Sequence, residues 1–140
     1  MTTLKRSTWN PSSMAVPHGA FSHVLKVANV KEWIFFTDKA ALTSDGQLVG
    51  EGDAGAQTTW VLDLIQIGLH SAEADWHNVV QLSTHLVGRS SVQPFLKARD
   101  EYFTRVYPEG DYPTNTLTVI DGLVREGMLV AITALAALSR

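Results

Sequence analysis

Asn115 is the residue whose type and position most clearly suggest chemistry. It closes the tripeptide Pro113-Thr114-Asn115 and precedes the apolar, β-branched run at residues 116–120, which predicts a buried strand. An asparagine side chain offers two N–H donors and one acceptor without a charge. At the start of a strand it would suit a ligand amide, ring carbonyl or hydroxyl, or else it would pair with neighbouring backbone.

Three more polar residues accompany predicted strands. Asp38 follows the run EWIFFT, where a carboxylate withdrawn from water would suit general acid or base work and an exposed one would be an ordinary turn residue. Thr133 lies in the apolar run at residues 128–138, and its hydroxyl can hold a water but cannot act as a base at neutral pH. His85, in VVQLSTHLV, is either an acid or base of a site or a partly buried structural histidine.

These residues must be positioned by a sheet. Strands are predicted at residues 21–29, 32–37, 79–87, 116–120 and 128–138. The turn residues at 29–31 predict a hairpin between the first two strands, and the nearly continuous apolar run at 32–37 predicts a central strand covered on both faces. Residues 43–52 are rich in Gly, Asp and Ser and predict a loop, with a short edge strand at 47–49.

Two helices are predicted between the strands. The first begins after an N-cap at Asp53 and ends at about Ala72, and the second begins at Ser90 or Ser91 and ends before Pro108. Helical spacing predicts a buried stripe on the first helix at Trp60, Val61, Leu64, Ile65 and Gly68. It predicts another on the second helix at Val92, Phe95, Leu96, Arg99, Tyr102, Phe103 and Val106.

The order of these elements predicts an α+β domain with a single mixed β-sheet and both helices on one face. The other sheet face then lacks a cover. Because many strand residues are apolar on both sides, self-association into a closed oligomer is expected to bury that face. This domain is predicted to span residues 17–140, and residues 1–16, which lack periodicity, are predicted to form an extended N-terminal arm.

Composition excludes several classes of function. The 140 residues fit one domain, and the absence of cysteine excludes disulfides and thiolate metal sites and favours a reducing, cytoplasmic location. No apolar run is long enough for a membrane span. A net charge of −3 with dispersed Lys and Arg argues against nucleic acid as a partner, and the five histidines show no metal-ligand spacing. We therefore expect no metal and no cofactor.

A family resemblance covers residues 17–138. It is carried by the segments FSHVLKVANVKEWIFFTDK, DGQLV, GAQTTWVLDLI, NVVQLSTHLV, RDEYFTRVYP, YPTNTLTV and LVAITALA, in this order. Together they resemble the Rid family, also called the YjgF family or endoribonuclease L-PSP. The resemblance implies a chorismate-mutase-like homotrimer with a small-molecule ligand in a cleft at each subunit interface. It also implies hydrolysis of reactive enamines and imines, such as 2-iminopropionate, to ketoacids and ammonia.

The chain departs from that family at the positions that carry its activity. The family motif Pro-x-Arg, whose arginine holds the substrate carboxylate, stands here as Pro113-Thr114-Asn115. The family glutamate in the last strand corresponds to Thr133, and the family Ser-Gly after the second strand corresponds to Thr37-Asp38. The resemblance implies further changes at the positions of a tyrosine and two helix asparagines, which stand here as Phe21, Leu64 and Leu96.

These changes define the functional hypothesis. We expect a divergent Rid-type protein that hydrolyses or tautomerises an imine or enamine other than the usual 2-iminocarboxylates, because losing one partner of a buried guanidinium–carboxylate pair costs about 2 to 5 kcal/mol. The predicted catalytic residues are Asn115, Asp38 and Thr133, and the predicted ligand-binding residues are Phe21, Thr37, His85, Leu96 and Leu117. The alternative is a non-catalytic trimer that binds a small metabolite. The remaining candidate cations, Arg89, Arg99, Arg105 and Arg125, are expected to face solvent.

Overall fold

The computed structural model of the protein describes residues 3–140, so the first two residues of the predicted arm lie outside the described part of the chain. In chain order the main elements are β1 (Lys5–Trp9), β2 (Val24–Ala28), β3 (Glu32–Phe35), β4 (Lys39–Ala40), α1 (Ala54–Ser71), β5 (Val79–Val87), α2 (Val92–Val106), β6 (Thr114–Ile120) and β7 (Val130–Leu138). Short 3-10 turns at Trp76–Asn78 and Arg89–Ser91 precede β5 and α2.

The main sheet is mixed. Its hydrogen-bonded order is β3-β7-β5-β6, with the short β4 also paired to β7. The central pair β5–β7 is antiparallel, and β5–β6 is parallel because α2 carries the chain back between them. The prediction of a central strand at residues 32–37 is wrong for the single chain: β3 is an edge strand, and Trp33 and Phe35 are 47% and 79% exposed.

Strand β2 does not form the predicted hairpin with β3. It pairs instead with β1 in a separate two-stranded antiparallel ribbon, in which Lys5 lies opposite Ala28 and Trp9 opposite Val24. Part of the segment predicted as an extended arm is therefore a paired strand. The side chain of Arg6 fastens this ribbon to the rest of the molecule through Nε to the Val79 carbonyl at 3.1 Å and Nη1 to the Asp111 carbonyl at 2.9 Å.

Both helices pack on one face of the main sheet, as predicted, and the α+β fold class is confirmed. Helix α1 begins as the sequence indicates, because the Asp53 side chain accepts a hydrogen bond from the Ala56 amide at 3.0 Å. The sheet-facing side of α1 is rotated from the predicted stripe and consists of Val61, Leu62, Ile65 and Leu69, all fully buried. Burial of each such side chain contributes about 1.5 to 3 kcal/mol.

Helix α2 buries the predicted aromatic stripe. Pro94 lies in its first turn, where its missing N–H leaves no broken hydrogen bond. Phe95, Tyr102 and Phe103 are buried, and Tyr102 and Phe103 make edge-to-face contacts with Trp76 and Tyr107, with ring centroids 5.2 to 6.4 Å apart. This aromatic cluster packs α2 against the segments that precede β5 and β6.

The second sheet face has no helix over it. Register places Gln81, Ser83 and His85 of β5 beside Thr114, Thr116 and Thr118 of β6 on this side, with Thr133 and Leu135 of β7 opposite Ser83 and Gln81. Phe35 lies opposite Leu135 at the far edge. This partly apolar, partly polar surface matches the predicted bare face, and its burial in a trimer stays a prediction. Among residues 3–140, no helix is both long and apolar enough to cross a membrane.

Candidate functional site

The predicted site residues fall at opposite edges of the main sheet. Asp38 and Thr37 follow β3 at one edge, whereas Asn115 and Leu117 lie in β6 at the other. Strands β7 and β5 separate them, which corresponds to roughly 14 Å at about 4.8 Å per strand spacing. Within one chain Asp38 and Asn115 therefore do not form a common site.

The edge at β3 and α1 carries an open pocket of about 840 Å³, here called the groove. Its lining is Phe35, Phe36, Thr37, Asp38, Lys39, Ala40, Leu42, Thr43, Ser44, Leu64, Ile67 and Gly68. The Phe36 ring lies directly against Gly68 of α1, where a side chain would overlap it. Exposed apolar side chains, such as Ile67 at 64%, form part of the wall. The groove is thus mainly apolar, with a few polar groups at its rim.

Asp38 lies in the wall of the groove but is exposed to solvent. The desolvation that would favour it as a general acid or base is therefore not supplied by its own chain. Thr37 is exposed beside it. A second chain covering this edge would be required to withdraw both side chains from water.

Thr133 lies on the bare sheet face and adjoins the groove. Its hydroxyl is 3.3 Å from the Ser83 carbonyl, and it lines a small pocket of about 200 Å³ together with Phe35 and Phe36. The same two phenylalanines line the groove. Thr133 and Asp38 are thus on neighbouring walls around β3, although no direct contact joins them.

Asn115 is held at one end of its amide. Its Oδ1 accepts a hydrogen bond from the Thr84 hydroxyl at 3.0 Å, and Thr84 is buried in the neighbouring strand β5. Its Nδ2 is buried and has no hydrogen-bond partner. The pairing of Asn115 with Leu82 places this side chain on the helix-covered side of the edge strand. A buried amide N–H without a partner costs about 1 to 3 kcal/mol.

We group four further side chains with Asn115 at the β6 edge of the sheet. Together with Asn115 we call them the donor cluster, which consists of Phe21, Leu96, Arg99, Asn115 and Leu117. Leu96 and Leu117 are partly buried against the core. Phe21 lies above α2, and the next residue along the chain donates its backbone amide to the Pro113 carbonyl at 3.2 Å, which ties this loop to the start of β6.

The expectation that Arg99 faces solvent is wrong. Its side chain is only 3% exposed, because helical spacing turns this position toward the sheet and the rings of Phe21 and Phe95 cover its guanidinium. Burial lowers the pKa of Arg99, and the adjacent Asp100 carboxylate, which accepts from Nε at 3.0 Å, opposes that effect. The sequence contained the signal, since Arg99 belongs to the predicted stripe of α2. Arg89, Arg105 and Arg125 are exposed, as expected.

His85 is not part of either edge. It lies on the bare face, where its Nδ1 is 2.8 Å from the Thr118 hydroxyl of β6. Within one chain it faces neither the groove nor the donor cluster. Its predicted ligand contact therefore depends on an arrangement of several chains and stays a prediction.

Comparison with known proteins agrees with this architecture. A family model described as Endoribonuclease L-PSP matches residues 12–138. YyfB of Yersinia pestis, described as a conserved Rid family protein of unknown function, has 28% identity and a TM-score of 0.83 over 95% of this chain and 98% of that one. Rv2704 of Mycobacterium tuberculosis, from the YjgF/YER057c/UK114 family, has 19% identity and a TM-score of 0.62 over 96% and 100%.

A third solved structure is TdcF of E. coli with bound serine, which has 13% identity and a TM-score of 0.67 over 85% of this chain and 91% of that one. At such identities the two lower matches show the fold alone. The family model, by contrast, covers most of the sequence, including both edges described above. The chain therefore belongs to the endoribonuclease L-PSP family, the group also known as Rid or YjgF.

Proposed function

We propose that the protein hydrolyses or tautomerises a reactive imine or enamine other than the usual 2-iminocarboxylates, in a cleft between the subunits of a homotrimer. Membership of the family supports a general role in handling imine or enamine intermediates or in binding small molecules. The absence of cysteine favours a cytoplasmic location for this activity.

The unpaired Nδ2 of Asn115 is the observation that carries the proposal. With Oδ1 fixed by Thr84, the amide presents a neutral donor where the family resemblance implies a cation. Such a donor suits a neutral acceptor rather than a carboxylate, because it supplies no charge to offset the desolvation of an anion.

The separation of the predicted residues supports a cleft shared by two chains. Asp38 and Thr133 approach the groove from one chain, and Asn115 would come from the donor cluster of a neighbour. The bare face, with exposed Trp33 and Phe35, is the surface that such an assembly would bury.

In the proposed reaction, water adds to the imine carbon and the C–N bond breaks to give a carbonyl compound and ammonia. Asp38, desolvated by the neighbouring chain, accepts one proton of the attacking water and passes it to the nitrogen, which gives a carbinolamine. It then moves the hydroxyl proton of the carbinolamine to the same nitrogen as the C–N bond breaks and the C=O bond forms. Thr133 holds the water through its hydroxyl oxygen. Asn115 orients the substrate by donating a hydrogen bond from Nδ2.

The test is ammonia release from imines generated in situ, with an amine oxidase supplying imines that lack a 2-carboxylate and an amino-acid oxidase supplying the usual 2-iminocarboxylates for comparison. The wild-type protein is expected to accelerate release above the spontaneous rate, whereas Asn115→Ala and Asp38→Asn are expected to lower kcat/KM at least tenfold. Lys97→Ala, an exposed position on α2 outside the proposed cleft, is the matched control. Spontaneous rates for every imine with the wild-type protein would refute the activity, and a particle mass other than three times the 15.3 kDa chain would refute the trimer.

A non-catalytic role in binding a small metabolite is the second candidate. The mainly apolar groove and the lack of a carboxylate at position 133 favour it. Stabilisation of the protein by a metabolite without any turnover would support this role over hydrolysis.

A further inference from the structure

Two arginines in the described part of the chain, Arg6 and Arg99, each have a buried Nη2 with no hydrogen-bond partner, but they differ in their other contacts. Arg6 makes three contacts, through Nε to the Val79 carbonyl and through Nη1 to the carbonyl and the carboxylate of Asp111. These contacts explain Arg6 as the fastening of the N-terminal ribbon. Arg99 donates from Nε to its neighbour Asp100, and its Nη2 is buried with no partner. The fold alone does not explain why a guanidinium is buried at position 99.

The surroundings of Arg99 are aromatic and tightly closed. Its guanidinium carbon lies 5.4 Å from the ring centre of Phe95 and 5.8 Å from that of Phe21. The backbone of Gly19 lies over Nη2, since a Cβ at that residue would be 2.6 Å away. Aromatic faces favour a cation but provide no hydrogen-bond acceptor in its plane. Nη2 of Arg99 therefore lacks a hydrogen-bond acceptor, and an anionic acceptor would form the strongest bond with it.

Arg99 and Asn115 belong to the same small region. The loop that covers Arg99 is bonded at Ser22 to the Pro113 carbonyl, two residues before Asn115. Leu96, one helical turn before Arg99, and Leu117, two residues after Asn115, pack against the same core. Arg99 on α2 and Asn115 on the edge strand β6 thus each carry a buried N–H donor without a partner. Native proteins leave few such groups, and a ligand is one recognised reason.

We propose that Arg99 supplies the positive charge of the donor cluster, so that the ligand carries a carboxylate or phosphate group held from α2 while Asn115 binds a neutral acceptor of the same molecule. This inference rests on the proposed cleft. It narrows the substrate class to anionic imines or enamines. The acidic group of such a substrate would bind Arg99 on α2, and not position 115 on β6, where the family resemblance implies an arginine.

The charges that face Arg99 are compatible with such a ligand. Asp100 is the carboxylate in contact with Arg99; it is 39% exposed and also accepts a hydrogen bond from the Ala20 amide at 3.0 Å. An incoming anion would reach Nη2 after the loop at residues 19–22 has moved. This loop is attached through the Ala20–Asp100 and Ser22–Pro113 hydrogen bonds, and Ala20 and Ser22 are buried, so its movement would break both bonds and expose both residues.

The first experiment uses the unmodified protein. The side-chain Nε–H resonance of Arg99, assigned from its loss in Arg99→Lys, is followed by NMR during titration with pyruvate, pyruvamide or inorganic phosphate. A saturable shift with pyruvate alone identifies a carboxylate site, and one with phosphate identifies a phosphate site. Pyruvamide, which has the shape of pyruvate without its charge, is expected to cause no shift. No shift with either anion, or an equal shift with pyruvamide, would overturn the proposal.

The second experiment compares variants in equilibrium binding of the anion that shifts the resonance. Arg99→Gln is expected to weaken binding roughly thirtyfold or more, and Arg99→Lys less, because lysine keeps the charge but loses the planar fork. Arg6→Lys is the control for a buried arginine outside the cluster and should bind as the wild type does. Unchanged affinity in Arg99→Gln would contradict the assignment, and failure of that variant to fold leaves the wild-type titration to decide.

The two proposals fail in different ways. Anion binding at Arg99 without ammonia release would refute hydrolysis and leave the anion site in place. Ammonia release at equal kcat/KM from an acidic imine and from its neutral amide would refute the role of Arg99 and leave hydrolysis in place.

Discussion

The groove and the donor cluster lie at opposite edges of one sheet. They differ in open space and in polar groups. The groove is open, mainly apolar and built around the contact of Phe36 with Gly68. The donor cluster is closed, and it contains two of the three buried side-chain donors without a partner in the described part of the chain, namely Nη2 of Arg99 and Nδ2 of Asn115. One edge therefore offers space without strong polar groups, whereas the other offers polar groups without open space.

The two edges also differ in the free energy that each loses when it has no ligand. Apolar surface left in water forgoes about 25 cal/mol per Å² but breaks no hydrogen bond. Each buried donor without a partner costs about 1 to 3 kcal/mol, and more when it is charged. The buried donors of the donor cluster therefore lower the stability of the protein, and a bound acceptor would restore it. The groove has no such buried donors. Association of two chains that joins the edges would bring the space and the donors into one cleft.

Alkaline pH is expected to destabilise the protein through the end of α2, because Tyr102 and Tyr107 are buried there. Burial raises the pKa of Tyr107 above its usual value of 10.0, and its hydroxyl donates to the Trp76 carbonyl at 2.6 Å. Below pH 10 both states keep the proton, so nothing changes. Above it the unfolded state loses the proton first, and the free energy of unfolding falls by about 1.4 kcal/mol per pH unit.

Urea unfolding of the wild type and of Tyr107→Phe between pH 8 and pH 12 measures this effect. The variant is expected to start from lower stability, because its hydrogen bond to Trp76 is lost, and to show a shallower decline above pH 10. Parallel curves for the two proteins would exclude Tyr107 as the titrating group.

Two glycines of α1 test the groove. A methyl group at Gly68 would overlap the Phe36 ring, so Gly68→Ala is expected to displace that ring, alter the groove and destabilise the protein by about 1 to 3 kcal/mol. At Gly55 the nearest atoms to an added Cβ are 3.5 Å away, so Gly55→Ala is expected to be neutral or to stabilise the helix by up to about 1 kcal/mol. Thermal unfolding measures the stability change in both variants. Equal changes would show that α1 does not fix the position of the Phe36 ring.

The sequence predicted the helices and strands better than it predicted strand pairing and side-chain burial. The bounds of β5 and the Asp53 cap of α1 follow from local signals, namely alternation and a side chain that accepts from the first helical turn. The pairing of β2 with β1 and the edge position of β3 depend on contacts distant in sequence, which hydrophobic pattern does not encode. Helical spacing correctly predicts that Arg99 lies on the buried face of α2, but the expectation that it faces solvent is wrong, because one of the rings that cover it belongs to a distant loop.

The smallest expected effect separates the two edges with one type of substitution. Thr84→Val removes the hydroxyl that fixes Asn115 Oδ1 and leaves a second polar atom of that amide without a partner, so a loss of about 1 kcal/mol is expected. Thr133→Val removes a long contact of 3.3 Å to the Ser83 carbonyl at a partly exposed position, and less than about 0.5 kcal/mol is expected. Urea unfolding of both variants measures the difference. A larger loss of stability in Thr133→Val would mean that the hydroxyl beside the groove contributes more to the sheet than the hydroxyl beside Asn115. The donor cluster would then not be the more tightly organised edge.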